Sequence, residues 1–325
     1  MYDLHVFTTC PQSKDHEQHL YQERVLEAAR WSDQAGCTGI LVYSDNSIID
    51  SWLLANFIIA ETRQLAPLVA VQPVYMHPYT VAKMAATFEY MYHRPVWLNM
   101  IAGGFRNDLL ALGDPTEHDD RYARLIEYCG IIRGLLAGDA VTLDGRFYQV
   151  KNLKLTPLRL PLKPNMLMSG SSDASRAAAE AAGAIAVEYP EPPKDDVVAH
   201  QVQNRGIRIG IIAHQQHEKA WQIAHERFPP DRRGQLQHAM AIRTSDSSWQ
   251  KRLGSLAQEE CTGPYWLWPF KNYATFCPYL VGDYDTVAAE VGRYVALGYK
   301  TFILDIPRSE DDLGMAKEVF KRAST

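Results

Sequence analysis

LMSGSSDASRAAAEAAGAIAVEY (167–189) reads as a short apolar strand, a turn of small residues, an alanine-rich helix and a second apolar strand. Gly170, Ser171 and Ser172 let a ligand come close to the backbone, and the unpaired N–H groups that open the following helix form an anion site. An α/β enzyme can hold a phosphate in this way. Ser172 or Asp173 acting as a plain N-cap of that helix accounts for the same residues without a ligand. What lies on either side decides the fold to which the stretch belongs.

Outward from it, apolar β-branched runs alternate with longer amphipathic segments, the sequence form of βα units and a parallel sheet. Strands are expected at 4–9, 39–43, 67–73, 96–101, 165–170, 184–189, 207–213 and 301–306. Helices are expected at 17–35, 50–62, 79–92, 119–136, 172–182, 214–226, 284–297 and 309–322. Eight strands, each followed by a helix, predict an α/β fold, a single (β/α)8 TIM barrel over 1–325 with ligands at the C-terminal ends of the strands. Two segments interrupt the alternation. Residues 139–164, with DGRFYQV and KLTPLRLPLKP, read as a hairpin-like excursion, and residues 245–280 as a long insertion that forms a lid or carries its own helices.

Composition narrows the function. The 325 residues are 46% hydrophobic with a net charge of −5 and a pI near 6.1, which leaves no basic stripe for nucleic acid. No 18-residue apolar run suggests a membrane span, and the opening MYDLHVFTTCPQ lacks the pattern of a signal peptide, so a cytoplasmic protein is expected. Cys10, Cys37, Cys129, Cys261 and Cys277 are scattered without metal-ligand spacing and read as reduced thiols, with no metal site expected. No G-x-G-x-x-G follows any strand, so direct use of NAD(P)H by this chain is not expected.

Three further stretches carry a resemblance. PVYMHPYTVAKMAATFEYM (73–91), LNMIAGGFRNDLLALGDPTEHDDRY (98–122) and the SGSSDAS turn with EYPEPP (188–193) stand in the order and at the barrel positions seen in luciferase-like flavin monooxygenases. With LVGDYDTVAAEVGRYVALGYKTFIL (280–304), the chain resembles that superfamily over most of its length, and most closely the two-component alkanesulfonate monooxygenase branch. The resemblance implies reduced FMN (FMNH2), supplied by a separate NAD(P)H-dependent flavin reductase. It also implies oxidation of a small organic substrate with O2 through a C4a-peroxyflavin, and a homodimer formed through helices of the first half of the barrel. It sets the flavin phosphate at Gly170, Ser171 and Ser172, with the Tyr122 hydroxyl helping to hold it, and puts Asn99 and Ala102 beside the isoalloxazine.

Physical reading of the same residues leaves alternatives open. Asn99 places an amide at the end of an apolar strand, where an unpaired group would cost about 1–3 kcal/mol, so it needs a partner in a ligand or a nearby loop. Tyr122 also suits a half-buried packing position, and His118 suits helix capping. His77, before Pro78, is a candidate acid or base and equally a cap of the third helix.

The pattern of the sulfonate branch is broken at three places. Ile48 stands where a cysteine is expected, Gly210 where a histidine is expected, and Ile306, Pro307 and Arg308 replace a Tyr-Pro-His run. A simple alkanesulfonate is therefore not the expected substrate. Arg208 on the seventh strand is costly to bury alone and should face Glu188, Asp305, a flavin carbonyl or a substrate anion. Tyr265, Trp266, Trp268, Phe270, Tyr273, Phe276 and Tyr279 crowd the stretch 262–280, as a lid over an apolar substrate, a subunit interface or a hydrophobic plug. Two rival functions remain: a deazaflavin (F420)-dependent oxidoreductase on the same barrel, and a flavin-binding protein without catalysis.

Overall fold

The computed structural model describes residues 4–104, 106–156, 165–193, 204–244, 248–256 and 263–323. In chain order its elements begin with β1 (His5–Thr9), α1 (Gln18–Ala35), β2 (Gly39–Val42), α2 (Ser51–Glu61), β3 (Ala66–Val71), α3 (Pro78–Tyr92), β4 (Trp97–Met100) and α4 (Arg106–Ala111). They continue with α5 (His118–Ala137), β5 (Val141–Asp144), β6 (Gln149–Leu153), β7 (Met166–Ser169), α6 (Asp173–Ala182), β8 (Ile185–Glu188), β9 (Arg205–His214) and α7 (His217–Arg227). The last are α8 (Arg232–Thr244), α9 (Ser248–Leu256), β10 (Tyr265–Trp266), α10 (Trp268–Lys271), β11 (Tyr279–Asp283), α11 (Tyr284–Leu297), β12 (Tyr299–Leu304) and α12 (Glu310–Ala323). The eight expected strands appear as β1, β2, β3, β4, β7, β8, β9 and β12, each end within two residues of its expected place. The chain divides into two compact units, a first (1–9, 30–38 and 187–325) and a second (10–29 and 39–186).

In the second unit β2, β3, β4 and β7 pair side by side and parallel, with Gly39 opposite Ala66, Leu68 opposite Trp97 and Leu98 opposite Met166. All six residues of β3, APLVAV, are buried, as expected of a parallel strand covered on both faces. Its core joins Trp52, Val69, Ala82, Leu98, Tyr128 and Ala178. The helices start where the sequence supplies caps: the Asp50 carboxylate accepts from the N–H groups of Trp52 and Leu53 at 3.0 and 2.8 Å, and Pro78 opens α3 behind His77. The excursion before β7 is an antiparallel hairpin of β5 and β6. Glu127 of α5 pins its turn, accepting from the backbone N–H groups of Arg146, Phe147 and Tyr148 at 2.9, 3.0 and 3.0 Å. Residues 157–164 of that expected excursion lie outside the described residues.

In the first unit β1, β12 and β9 pair parallel, with Val6 opposite Phe302 and Phe302 opposite Ile207. β9 is ten residues long, and β12 covers only Arg205–Ile209 of it. Its remaining half pairs parallel with β11, from Gly210 opposite Tyr279 to His214 opposite Asp283. β11 was not among the expected strands, because a five-residue apolar run that ends in a helix cap gives little local signal. The overhang of β9, some seventy residues earlier, supplies the edge that makes it a strand. Ile207, Ile209, Leu280, Val291 and Phe302 form the heart of this unit's core. Among the described residues no helix is long and apolar enough to cross a membrane. Cys10, Cys129 and Cys277 are buried and Cys37 half-buried, all as free thiols, while Cys261 lies outside the described residues.

Candidate functional site

The strand ends and turns of the second unit gather hydroxyl groups. β4 lies beside β7, and Asn99 Oδ1 accepts a hydrogen bond from Ser169 Oγ at 2.8 Å, which gives this buried amide a protein partner. Ala102, just beyond β4, is buried. After β7 the chain turns through Gly170, Ser171 and Ser172 into α6, and Ser172 caps that helix: its Oγ accepts from the Ser175 N–H at 3.1 Å. The cap reading therefore holds, but it does not account for the rest of the cluster. Tyr122, from the start of α5, is buried with its hydroxyl bonded to Ser172 and Ser175. Burial raises its pKa, so it remains a neutral phenol.

Close approach explains the glycine. A Cβ on residue 170 would lie 2.5 Å from the Tyr122 hydroxyl and 2.7 Å from Ser175 Cβ, so a side chain there would push the cluster apart. Ser171 is buried, and its carbonyl accepts from Arg176 Nη1 at 2.8 Å, which brings a guanidinium to the same turn, where it also pairs with the Asp173 carboxylate. Sequence reasoning missed Arg176, Ser175 and Ser169, although Arg176 stood in view, four residues beyond the cap. His118 packs edge-on against Tyr122 at 5.2 Å and sits 2.7 Å from the Asp119 carboxylate. Hydroxyl donors, the open N–H groups of a helix start and a nearby cation are the donor set a phosphate needs. The residues present fit that group.

In the first unit a different cluster forms where β9, β11 and β12 meet. Arg208 Nη2 lies 3.5 Å from Asp305 Oδ1, with the two side chains 8% and 13% exposed. Asp305 Oδ2 accepts from the Tyr279 hydroxyl at 2.8 Å, and Tyr189 also bonds with Arg208. Burial first, and then the charge of Asp305, push the Tyr279 pKa well above its usual value, so the phenol keeps its proton and donates. Of the carboxylates expected to face Arg208, Asp305 pairs with it, and Glu188 accepts from the Tyr299 hydroxyl at 2.5 Å and lies 3.8 Å from Arg205. A Cβ on Gly210 would meet the Tyr279 ring at 2.3 Å, so the ring fills the space a side chain at that position would use.

The aromatic stretch is placed differently from the lid expectation. Tyr265, Trp266 and Tyr279 are buried in the first unit's core, where β10 pairs with β11, and Phe270 of α10 is buried as well. Trp266 meets Trp221, His225 and Phe228 edge-on, at 5.5, 5.5 and 6.1 Å. The Trp268 indole N–H donates to the Phe228 carbonyl at 3.1 Å, and Tyr273 packs near Phe276. These contacts tie much of the described part, 263–280, to the first unit's core; residues 257–262 lie outside the described residues.

The other candidates stand apart from both clusters. His77 caps α3, its Nδ1 accepting from the Tyr79 N–H at 3.2 Å, and is exposed. Ile48 is half-buried in a turn whose N–H reaches the Asp45 carbonyl. Arg308 precedes α12, donating through its backbone N–H to Asp312 at 2.9 Å with its guanidinium over the Phe228 ring.

Comparison with known proteins places these features in a family. The model of the luciferase-like monooxygenases matches residues 2–301. The monooxygenase BtrO of Niallia circulans, which acts on 4-(gamma-L-glutamylamino)butanoyl-[BtrI acyl-carrier protein], is 37% identical over 305 residues, 90% of this chain and 89% of BtrO. Among solved structures, EDTA monooxygenase (EmoA) from Chelativorans sp. BNC1 superposes with a TM-score of 0.73 at 13% identity, covering 99% of this chain and 93% of that one. The oxygenating constituent of 3,6-diketocamphane monooxygenase from Pseudomonas putida, solved with FMN, gives 0.67 at 13% identity, covering 97% and 96%. Matched by the family model over nearly its whole length and by a relative across nine-tenths of both chains, this chain belongs to the luciferase-like monooxygenases and is a flavin-dependent monooxygenase with their (β/α)8 TIM-barrel fold.

Proposed function

We propose that the chain is the oxygenase of a two-component system: it takes FMNH2 from a separate NAD(P)H-dependent flavin reductase and uses O2 to oxidise a small organic substrate. The observation that carries this reading is the hydroxyl cluster of Tyr122, Ser172 and Ser175 around Gly170, a donor set suited to one phosphate. Ser171, Ser172 and Tyr122 would hold that phosphate, and Asn99 and Ala102 would lie along the ring system. Reduced FMN, when bound, supplies the electrons that activate O2; the protein's task is to bind, orient and exclude water. No dinucleotide fingerprint is present in the sequence, which supports the need for a reductase.

The substrate in this reading is not a simple alkanesulfonate. BtrO, at 37% identity, takes an acyl group on a carrier protein, and a small acyl compound, presented to the enzyme on such a carrier, is the class we propose here. Arg208 and Asp305 would face the substrate as an ion pair, whereas His77 is engaged as a helix cap. A homodimer is supported by exposed Leu53 on α2 and by exposed Tyr90 and Met91 on α3. A cytoplasmic setting, where reductase and NAD(P)H are at hand, goes with this activity.

Anaerobic titration with reduced FMN tests the reading. The wild-type protein should bind it saturably, and Ser172→Asp should weaken binding by at least ~2 kcal/mol through charge repulsion and a lost hydrogen bond. Equal affinity of the two proteins removes the phosphate assignment. Tighter binding of F420 than of reduced FMN would replace oxygenation with hydride transfer.

A further inference from the structure

The pairing of Arg208 has a consequence for what the enzyme accepts. Arg208 sits on β9 two residues before Gly210, and alternate residues of a strand face the same side, so the guanidinium and the bare backbone at 210 lie on one face. In the sulfonate enzymes that this chain resembles, a histidine is expected at that second position. Here the Tyr279 ring occupies the space, and its hydroxyl reaches Asp305 Oδ2 at 2.8 Å while Asp305 Oδ1 faces Arg208. Both carboxylate oxygens are thus engaged inside the protein, one by each neighbour.

A small cavity opens beside this cluster, and among its lining residues are Gly210, Arg227, Tyr279, Leu304, Asp305 and Asp312, but not Arg208. A solute entering it meets two carboxylates and one guanidinium, Arg227, which is already paired with Asp312; the Asp312 carboxylate also accepts from the Arg308 N–H. An anion would have to displace Asp305 from Arg208 and leave a buried carboxylate without its cation, which is a costly exchange. We propose that Asp305 and Tyr279 determine specificity by holding Arg208 in an internal ion pair, which withholds it from substrate and selects for compounds neutral at the end that meets β9. The inference rests on the monooxygenase reading above but is tested without flavin, so its failure is distinguishable from failure of FMN binding.

Asp305→Asn keeps the shape and can still accept from the Tyr279 hydroxyl, while removing the negative charge. Ethanesulfonate and neutral dimethyl sulfone are titrated into the wild-type and variant proteins, with tryptophan fluorescence as the readout, since Trp266 and Tyr279 both pack on Phe228. The variant should bind ethanesulfonate at least about tenfold more tightly than the wild type, with no change for the sulfone. Adding Arg208→Gln to Asp305→Asn should abolish that gain. Tyr279→Phe, which removes one hydrogen bond from Asp305 and keeps the ring over Gly210, should give a smaller gain of the same sign, and it serves if Asp305→Asn does not fold. Wild-type binding of ethanesulfonate as tight as that of the variant overturns the proposal, as does a folded Asp305→Asn or Tyr279→Phe protein that gains nothing.

Discussion

The two polar clusters are built on opposite plans, one in each unit. Around Gly170, hydroxyls from α5 and the α6 turn converge with the N–H groups of a helix start, donors that outnumber the acceptors there even though Arg176 beside them is paired with Asp173. Around Gly210, Asp305 is engaged from both sides, by the charge of Arg208 and by the Tyr279 hydroxyl. Each plan needs a glycine for the same steric reason, since a Cβ at either position would strike a tyrosine. A surplus of donors invites an anion from outside, whereas a closed pair has supplied its own. The same chemistry of arginine, hydroxyl and glycine therefore yields a receptor in one place and a filled site in the other.

The largest test of that independence is Trp266→Ala. Trp266 is buried among Trp221, His225 and Phe228 of the first unit, so its truncation should cost about 3–5 kcal/mol of stability in chemical denaturation. Reduced-FMN affinity of the folded variant should stay within a few-fold, because the phosphate turn belongs to the second unit. A parallel fall in affinity would break the comparison.

The paired glycines sharpen it. Gly210→Ala forces a methyl group against the Tyr279 ring and should cost about 1–3 kcal/mol of stability, with little effect on reduced-FMN binding. Gly170→Ala displaces the Tyr122 hydroxyl and should lose about 0.5–1.5 kcal/mol of FMN binding for each donor moved. Both variants should lose stability, and Gly170→Ala alone should also lose reduced-FMN affinity. Equal patterns would mean that the two clusters do the same work.

The contrast also explains what could be read from sequence. The phosphate turn was legible because strand, glycine, cap and helix lie within the consecutive residues 166–182, and the Ser172 cap bonds only three residues ahead. Tyr122 entered through resemblance to a family, as spacing alone left it a packing residue. The partner of Arg208 was not legible to the same degree: Asp305 lies 97 residues away, and Tyr279 came into view only as one ring among seven in an expected lid. β11 was missed for the same reason, since its strand state depends on the overhang of β9. Local signals mark the elements, while the pairing that buries part of the aromatic run is decided by contacts distant in the chain.

The smallest expected effect concerns α5, which carries Tyr122 at its start and Glu127 less than two turns later. Glu127 holds the hairpin turn through three backbone N–H groups, with Arg146 also paired to Asp120, and Tyr148 beyond that turn packs on Tyr128 and His77. Glu127→Gln replaces a charged acceptor by an amide, one end of which presents hydrogens to those N–H groups. The expected loss is about 1 kcal/mol, or a melting temperature lower by roughly 2 °C, with faster proteolysis at 145–148. Hairpin and hydroxyl cluster share a helix but no hydrogen bond named above, so reduced-FMN affinity should move less than twofold. If Glu127→Gln weakened FMN as strongly as Ser172→Asp, the hairpin would be part of the cofactor's support. The donor-rich cluster would then extend along α5, and the contrast with the closed pair at Arg208 would be one between a large cooperative surface and a compact one.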